Sequence, residues 1–402
     1  MTDDQSSWRP AASVEWAIRE AWTFQKPHEL VNEACRRLIA DGIPLWRFTS
    51  NILALHPEVF GDVYVWHRQT GRTEYISAQH ASQQAAPVLT GDNPLRLAAE
   101  RRDMVRLRLT EDHPEFEFPL LQELRDEGGT DYVVLPMEFN DGSVGLVTFA
   151  TDRDGGFSDH DLAVLRDFTM VVARPAENLA IRALAQRFLD IYVGHDAGRR
   201  ILNGQIMRGS GDTIHAALWF CDLRGFTALS DALARETLIG LLNEFFDCMA
   251  GAVQNAGGEI LKFIGDGMLA IFPVTDGRDA AAASNAALQA ATDAAAAMAQ
   301  FNDTRAEAGA EPLGYGITLH VGDVMYGNIG ASGRLDFTVI GPAVNLVNRM
   351  QKLARERDRS LLVSAEFAAE CRDPRLTSIG THEFRGVAGG QEIFILDRGT
   401  GL

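Results

Sequence analysis

The 402-residue sequence is poor in several features, and each shortage excludes a class of protein. Its four cysteines, Cys35, Cys221, Cys248 and Cys371, lack the spacing of a zinc module or a disulfide framework. No apolar run approaches the roughly 20 residues of a membrane span. The polar start MTDDQSSWRP lacks the basic and apolar parts of a signal peptide. We therefore expect a reduced, cytoplasmic protein without a membrane span.

Positive charge is also scarce. Lys and Arg number 37 against 55 Asp and Glu, which gives a net charge of −18. A nucleic-acid-binding surface needs a clustered basic patch, so the composition argues against a nucleic-acid partner. A nucleotide substrate is compatible with this charge, because a local cation site can override the global field. The length favours two or three domains.

The N-terminal region, residues 15–178, mixes helical and strand patterns. HELVNEACRRLIADG has helical periodicity and ends at Gly42, while residues 62–77 and 130–151 alternate around turns, as hairpins do. Ser158 is predicted to cap a long amphipathic helix, with a kink or break at Pro175. This order resembles an α+β GAF-type sensory domain, but without the signature of its cyclic-nucleotide-binding members. A ligand-free dimerisation or docking module is the alternative.

Residues 179–210 are predicted to form a helical connector interrupted at Gly194 and Gly198. Three sustained heptads are absent, so a long coiled coil is not expected. Apolar residues at helical spacing nevertheless form a face that can pair with a second copy of the chain: Leu184, Phe188, Ile191 and Tyr192.

Residues 211–400 change to a pattern of strand, helix, hairpin, helix and strand. TIHAALWFCD predicts a strand, and the following segment to Gly258 predicts one long helix. EILKFIGDGMLAIFPV predicts a hairpin that turns at Gly265–Gly267, and an alanine-rich helix follows. YGITLHVGDVMYGNIG predicts a second hairpin. This βαββαβ order is that of the ferredoxin-like α+β unit.

Two aspartates stand out in this layout. Asp222 ends the first strand and Asp266 lies in the hairpin turn, so both carboxylates should meet at one edge of the sheet. Such carboxylates repel unless cations lie between them, as in a two-metal phosphoryl-transfer site. The turn after Asp222 places Gly225, Phe226 and Thr227 at a helix N-terminus, which binds phosphate. Taken singly, the aspartates have simpler explanations as an N-cap and a turn residue.

Four ordered motifs carry a family resemblance: FCDLRGFTALSD, KFIGDGMLAIF, HVGDVMYGNIG and LDFTVIGPAVNLVNRM. Together they resemble the catalytic domain of class III nucleotidyl cyclases, from Ile214 to Ile395. The resemblance implies conversion of a nucleoside triphosphate to a 3′,5′-cyclic monophosphate and pyrophosphate. It also implies two Mg²⁺ or Mn²⁺ ions in each active site.

The resemblance assigns roles residue by residue. Asp222, Asp266 and the Leu223 backbone carbonyl match the metal ligands. Asn345 matches the residue that orients the ribose, and Arg349 matches the arginine that stabilises the transition state. In this family the two sets come from different protomers, so a C2 homodimer with shared active sites is implied.

The substrate-reading positions favour ATP. Lys262 matches the purine-reading lysine, where guanylyl cyclases typically carry glutamate. Thr338 stands where many relatives carry aspartate, and resembles the subgroup that includes bicarbonate-responsive adenylyl cyclases. Arg385 stands where many relatives carry a phosphate-binding lysine, with a solvated surface charge as the alternative.

The sequence therefore predicts a homodimeric adenylyl cyclase. An unknown small molecule or protein would regulate it through the N-terminal domain. The alternatives are a guanylyl cyclase and a catalytically silent sensor that signals by binding a partner.

Overall fold

The computed structural model describes residues 10–53, 59–79, 92–111, 113, 118–387 and 389–396. The chain divides into two compact units, Met1–Phe188 and Leu189–Leu402. The division falls inside the predicted connector. No helix among the described residues combines the length and apolar character needed to cross a membrane.

The N-terminal unit is built on an antiparallel sheet. Its strands are β1 (Arg47–Leu53), β2 (Val59–His67), β3 (Arg72–Gln79), β4 (Val105–Arg108), β5 (Asp131–Glu138) and β6 (Val144–Thr151). They are arranged in the order β3-β2-β1-β6-β5-β4, which includes both predicted hairpins. The helices of this unit are α1 (Ala12–Arg19), α2 (Pro27–Ala40), α3 (Pro94–Arg101), α4 (Pro119–Asp126) and α5 (Asp159–Val193), whose last residues lie beyond the unit boundary.

Helix α5 confirms the predicted cap at Ser158 and shows no break at Pro175. The Ser158 hydroxyl accepts a hydrogen bond from the Asp161 amide at 3.2 Å, as expected of an N-cap. The helix then continues through Pro175 without a break. The lost backbone hydrogen bond is outweighed by burial, because Phe168, Val172 and Leu179 pack into the core of the unit.

The distal part of α5 is attached to the sheet by an ion pair. The Arg187 guanidinium donates to the two carboxylate oxygens of Asp62, on β2, at 2.5 and 2.6 Å. The Tyr75 hydroxyl, on β3, donates to the same carboxylate at 2.9 Å. The long helix therefore has a fixed contact one residue before the end of the unit.

The C-terminal unit has a larger mixed sheet. Its strands are β7 (Gly211–Leu223), β8 (Glu259–Ile264), β9 (Gly267–Pro273), β10 (Tyr315–Ala331), β11 (Arg334–Ile340), β12 (Leu361–Ser364), β13 (Leu376–His382) and β14 (Gln391–Leu396). The order is β13-β14-β12-β10-β7-β9-β8, with β11 paired to β10. Strands β10 and β12 are parallel and the other pairs are antiparallel.

Helices cover both faces of this sheet. They are α6 (His195–Leu202), α7 (Phe226–Ala232), α8 (Arg235–Asn255), α9 (Ala280–Glu307), α10 (Pro342–Glu356) and α11 (Ala365–Cys371). Alternate residues of β7 point to opposite faces. Trp219 and its odd-numbered neighbours pack with α8 and α9, whereas Leu218 and Phe220 pack with α10.

Three sequence predictions for this unit are wrong. The predicted single helix after β7 is two helices, because Leu233 and Ala234 adopt extended backbone between α7 and α8. Gly194 does interrupt the connector, but Gly198 lies inside α6, where an added Cβ would approach Leu189 to 2.9 Å. The predicted second hairpin is the single strand β10. Its Gly322 allows close packing, since a Cβ there would lie 3.2 Å from the Ala343 Cβ.

Candidate active site

The two predicted metal-binding aspartates lie at one edge of the sheet. Asp222 is opposite Gly267 in the pairing of β7 with β9. The next residue, Leu223, donates its amide to the backbone oxygen of Asp266 at 3.1 Å. Asp222 is buried and Asp266 is half-buried. The βαββαβ topology therefore brings these carboxyl-bearing residues together as expected.

The Asp222 carboxylate has two unequal oxygens. Oδ2 accepts a hydrogen bond from the Arg355 guanidinium, whereas Oδ1 is buried without a hydrogen-bond partner. Burial raises the pKa of Asp222 above its usual value. Arg355 opposes this shift, and the nearby Asp266 carboxylate adds to it. A buried oxygen without a partner is costly unless something binds it.

The donor set fits a hard divalent cation. Two aspartates and the Leu223 backbone supply only oxygen atoms, which Mg²⁺ and Mn²⁺ prefer. The described residues contain no cluster of three or more His, Cys, Asp or Glu side chains that could hold a metal ion. A cation here would complete its coordination with water molecules and with substrate phosphates, as Mg²⁺ commonly does.

The segment after Asp222 forms the predicted turn. Gly225 is the N-cap of the seven-residue helix α7 and has a left-handed φ of 70°. A side chain is strained in that conformation, so glycine suits the position. Phe226 and Thr227 follow as the first residues of the helix. Their amides lie at its N-terminus, where orphan N–H groups are available to an anion.

The two predicted purine-reading residues lie on strands that contact each other, β8 and β11. Lys262 is half-buried and is opposite Leu269 of β9. Thr338 is only 4% exposed and is opposite Gly327 of β10. Its Oγ1 is buried without a hydrogen-bond partner. This hydroxyl therefore has hydrogen-bonding capacity that the fold itself does not use.

Helix α10 carries the next pair of predicted residues. Pro342 occupies its first position, which suits proline because no amide is needed there. Asn345 and Arg349 are four residues apart and therefore share a face of the helix. A Cβ on Gly386 would lie 3.4 Å from the Arg349 Nη2, so Arg349 lies close to that glycine. Arg385 is the exposed neighbour of Gly386.

Within one chain, Arg349 and Asp222 are not brought together by the contacts of α10. The residue of this helix that reaches Asp222 is Arg355. Arg349 lies six residues earlier, which is about 9 Å along the axis and about 120° around it. The helix therefore presents its two arginines to different sides.

Sequence reasoning missed Arg355 and the residue that precedes it on the same side, Gln351. The Gln351 amide donates to the carbonyls of Phe220 and Gly316 at 2.9 and 3.1 Å, which ties α10 to β7 and β10 beside Asp222. Arg355 stands in the run ARERDR, which is typical of an exposed helix end. No local signal distinguishes it from its neighbours.

Comparison with known proteins finds a family that the C-terminal unit resembles. Residues 211–398 match the adenylate and guanylate cyclase catalytic domain. This part of the chain is similar to cyclase catalytic domains. Its motif residues, including Asp222 and Asp266, all lie within the matched range.

Two curated relatives are adenylate cyclases. The protein from Anabaena cylindrica is 33% identical over 175 residues, which are 42% of this chain and 34% of that protein. Adenylate cyclase 1 of Rhizobium meliloti is 29% identical over 178 residues, which are 44% of this chain and 26% of that protein. The matched cyclase region thus spans about a third or less of each relative.

Solved cyclase structures are similar to a little under half of the chain. The guanylyl cyclase Cya2 is 28% identical, with a TM-score of 0.40, and the match covers 46% of this chain and 92% of that one. The adenylyl cyclase CyaB from P. aeruginosa is 29% identical, with a TM-score of 0.40, and the match covers 46% and 94%.

Proposed function

We propose that this protein is an adenylyl cyclase that converts ATP to 3′,5′-cyclic AMP and pyrophosphate. The observation that carries the proposal is the placement of Asp222 and Asp266 at one sheet edge, with a buried Asp222 oxygen left free. The match of residues 211–398 to the cyclase catalytic domain supports the same chemistry.

Asp222, Asp266 and the Leu223 carbonyl would hold two Mg²⁺ or Mn²⁺ ions. When bound, these cations favour ionisation of the ribose 3′ hydroxyl and neutralise charge on the departing pyrophosphate. The amides that follow Gly225 would bind the phosphates. Asn345 would orient the ribose for attack on the α-phosphorus, and Arg349 would meet the charge that develops on the α-phosphate.

Lys262 and Thr338 support ATP as the substrate. The Lys262 ammonium can donate to a ring nitrogen of adenine, and the Thr338 hydroxyl can accept from the adenine amino group. The partnerless Thr338 Oγ1 favours this assignment, because substrate would supply the missing hydrogen bond. A guanylyl cyclase is the second candidate, and comparison of ATP and GTP turnover separates the two.

The active site needs two chains under this proposal. One copy would contribute Asp222 and Asp266, and the other would contribute Lys262, Asn345 and Arg349. Within one chain, α10 turns Arg355 rather than Arg349 toward Asp222. A C2 homodimer would combine the two sets twice, which gives two equivalent sites.

The N-terminal unit is proposed to be a GAF-like regulatory domain. A small molecule or a protein would bind it and alter how the two catalytic units approach each other. The Arg187–Asp62 ion pair supports this role, because it couples β2 to the helix that leads into the catalytic unit. A catalytically silent sensor is the alternative. The full set of cyclase motif residues argues against it.

The experiment that tests this function measures cyclic AMP formation with Mn²⁺ or Mg²⁺ by mixed variants. Asp222→Ala and Arg349→Ala should each be inactive. Their mixture should recover roughly a quarter of the wild-type rate, because half of the dimers are mixed and each has one intact site. The matched control mixes Asp222→Ala with Asp266→Ala, which damages both sites of every dimer and should recover nothing.

Two results would contradict the proposal in different ways. Wild-type protein that turns over neither ATP nor GTP would favour the silent sensor. Active wild-type protein whose Asp222→Ala and Arg349→Ala variants fail to complement after subunit exchange would contradict the shared dimeric site.

A further inference from the structure

Arg355 and Asp222 form an ion pair in which one side chain is buried and the other is exposed. The Asp222 side chain is 6% exposed, whereas the Arg355 side chain is 56% exposed. Asp222 is held in position by β7, which pairs on both sides. Arg355 instead reaches the carboxylate from the surface of α10, through a long flexible side chain. It can therefore leave Asp222 without vacating a place in the core.

Among the described residues around Asp222, no second cation is hydrogen-bonded to its carboxylate, although the charge of Arg224 also lowers the Asp222 pKa. Gly316 lies opposite Asp222 on β10, and a Cβ there would lie 3.2 Å from the Asp222 Oδ1. Arg224 is directed elsewhere, since its guanidinium donates to Asp358 at 2.7 Å and to the Ala354 carbonyl at 3.2 Å. Among the described residues, Arg355 is thus the cation that is hydrogen-bonded to Asp222.

We propose that Arg355 is the resident counter-ion of Asp222 and that it competes with a divalent cation for this carboxylate. The proposal rests on the function of Asp222 as a metal ligand. Arg355 occupies Oδ2, so only Oδ1 is available while the ion pair persists. A guanidinium and a divalent cation on one carboxylate also repel each other. Metal binding therefore includes release of Arg355 from Asp222.

The ion pair has a second consequence, for the stability of the site. A buried carboxylate that loses its hydrogen-bonded cation is strongly destabilised. Arg355 supplies that charge until a divalent cation arrives, and its exposed side chain makes the exchange possible. Arg355 is accordingly a positioning residue rather than a catalytic one, because it acts on the metal ligand and not on the substrate.

The test measures Mn²⁺ binding to the full-length protein without nucleotide, by electron paramagnetic resonance of the free ion. Arg355→Met should bind Mn²⁺ roughly fivefold more tightly than wild type, because no ion pair must break. Arg355→Lys should stay near wild type, since it keeps the charge. Arg357→Met is the matched control: it removes an exposed arginine two residues away and should leave the affinity unchanged.

Thermal unfolding supplies a second readout. Without metal, Arg355→Met should unfold at a lower temperature than wild type, because Asp222 is left buried and unpaired. Saturating Mn²⁺ should remove most of that difference. If Arg355 only stabilised the fold, Arg355→Met would lower the unfolding temperature without tightening Mn²⁺ binding.

The outcomes separate this inference from the proposed function. Equal or weaker Mn²⁺ binding by Arg355→Met, with normal binding by wild type, would overturn the competition alone. Absence of Mn²⁺ binding by the wild type, or Asp222→Asn protein that binds as the wild type does, would overturn the metal site and the competition together.

Discussion

Thr338→Val should separate the stability of the fold from recognition of the substrate. Thr338 is 4% exposed, and its Oγ1 has no hydrogen-bond partner. Leaving a buried hydroxyl unpaired costs about 1–3 kcal/mol. Valine has nearly the same shape without the polar atom. We therefore expect the substitution to raise the free energy of unfolding by about 1 kcal/mol, the lower end of that range.

Thr318→Val provides the matched control. Thr318 is fully buried in the same sheet, but its Oγ1 donates to the Val347 carbonyl at 2.9 Å and accepts from the Gln351 side-chain amide at 3.3 Å. Thr318→Val makes the same change of side chain but breaks these hydrogen bonds, at a cost of at least about 1 kcal/mol. The two substitutions should therefore differ by about 2 kcal/mol in urea unfolding monitored by circular dichroism.

The activity of Thr338→Val should change in the opposite direction from its stability. If the hydroxyl accepts a hydrogen bond from adenine, its loss should lower kcat/KM for ATP by roughly tenfold, the equivalent of about 1.4 kcal/mol. Destabilisation equal to that of Thr318→Val would refute the reasoning that the Thr338 hydroxyl is unpaired. Unchanged kcat/KM for ATP would refute its contact with the purine.

Two further predictions concern the metal site and the N-terminal unit. Because burial raises the pKa of Asp222, a proton competes with the cation, so Mn²⁺ affinity should fall as the pH is lowered from neutrality; pH-independent dissociation constants would contradict this. Arg187→Met leaves the buried Asp62 without its guanidinium and should lower the free energy of unfolding of the N-terminal unit by about 3 kcal/mol, the lower end of the range for a buried ion pair. The control Arg182→Met removes an exposed hydrogen bond to Gln25 and should change it by less than about 0.5 kcal/mol. If this unit regulates the cyclase, Arg187→Met should also alter the cyclase rate, and Arg182→Met should not.

The parts of the site that follow from local patterns were predictable. An apolar run that ends at Asp222 and a glycine-bounded turn at Asp266 determine where strands end. The βαββαβ order then determines that those strands are neighbours. The juxtaposition of the two aspartates therefore needed no information beyond the sequence and general rules of topology.

Glycine was the least reliable signal of where a helix or strand ends. A glycine that permits a turn and a glycine that permits close packing are the same letter in a sequence. Gly265 has a left-handed φ of 62° and serves the turn. Gly198 and Gly322 instead lie where a Cβ would meet a neighbouring residue at 2.9 and 3.1 Å, and neither ends its element. That difference depends on tertiary neighbours, which local patterns do not contain.

The contact of Arg355 with Asp222 follows from the alternation of side chains along β7. The residues next to Arg355 in the sequence do not predict it. Odd-numbered residues of β7 such as Trp219 pack against α8 and α9, so Asp222 must lie on the face covered by α10. A shift of one residue would bury Asp222 in the core beside Phe245 and would remove it from α10 altogether. The same alternation that makes Asp222 available to a cation therefore also exposes it to an arginine 133 residues away in the chain. The proposed competition between Arg355 and a divalent cation therefore depends on the register of β7.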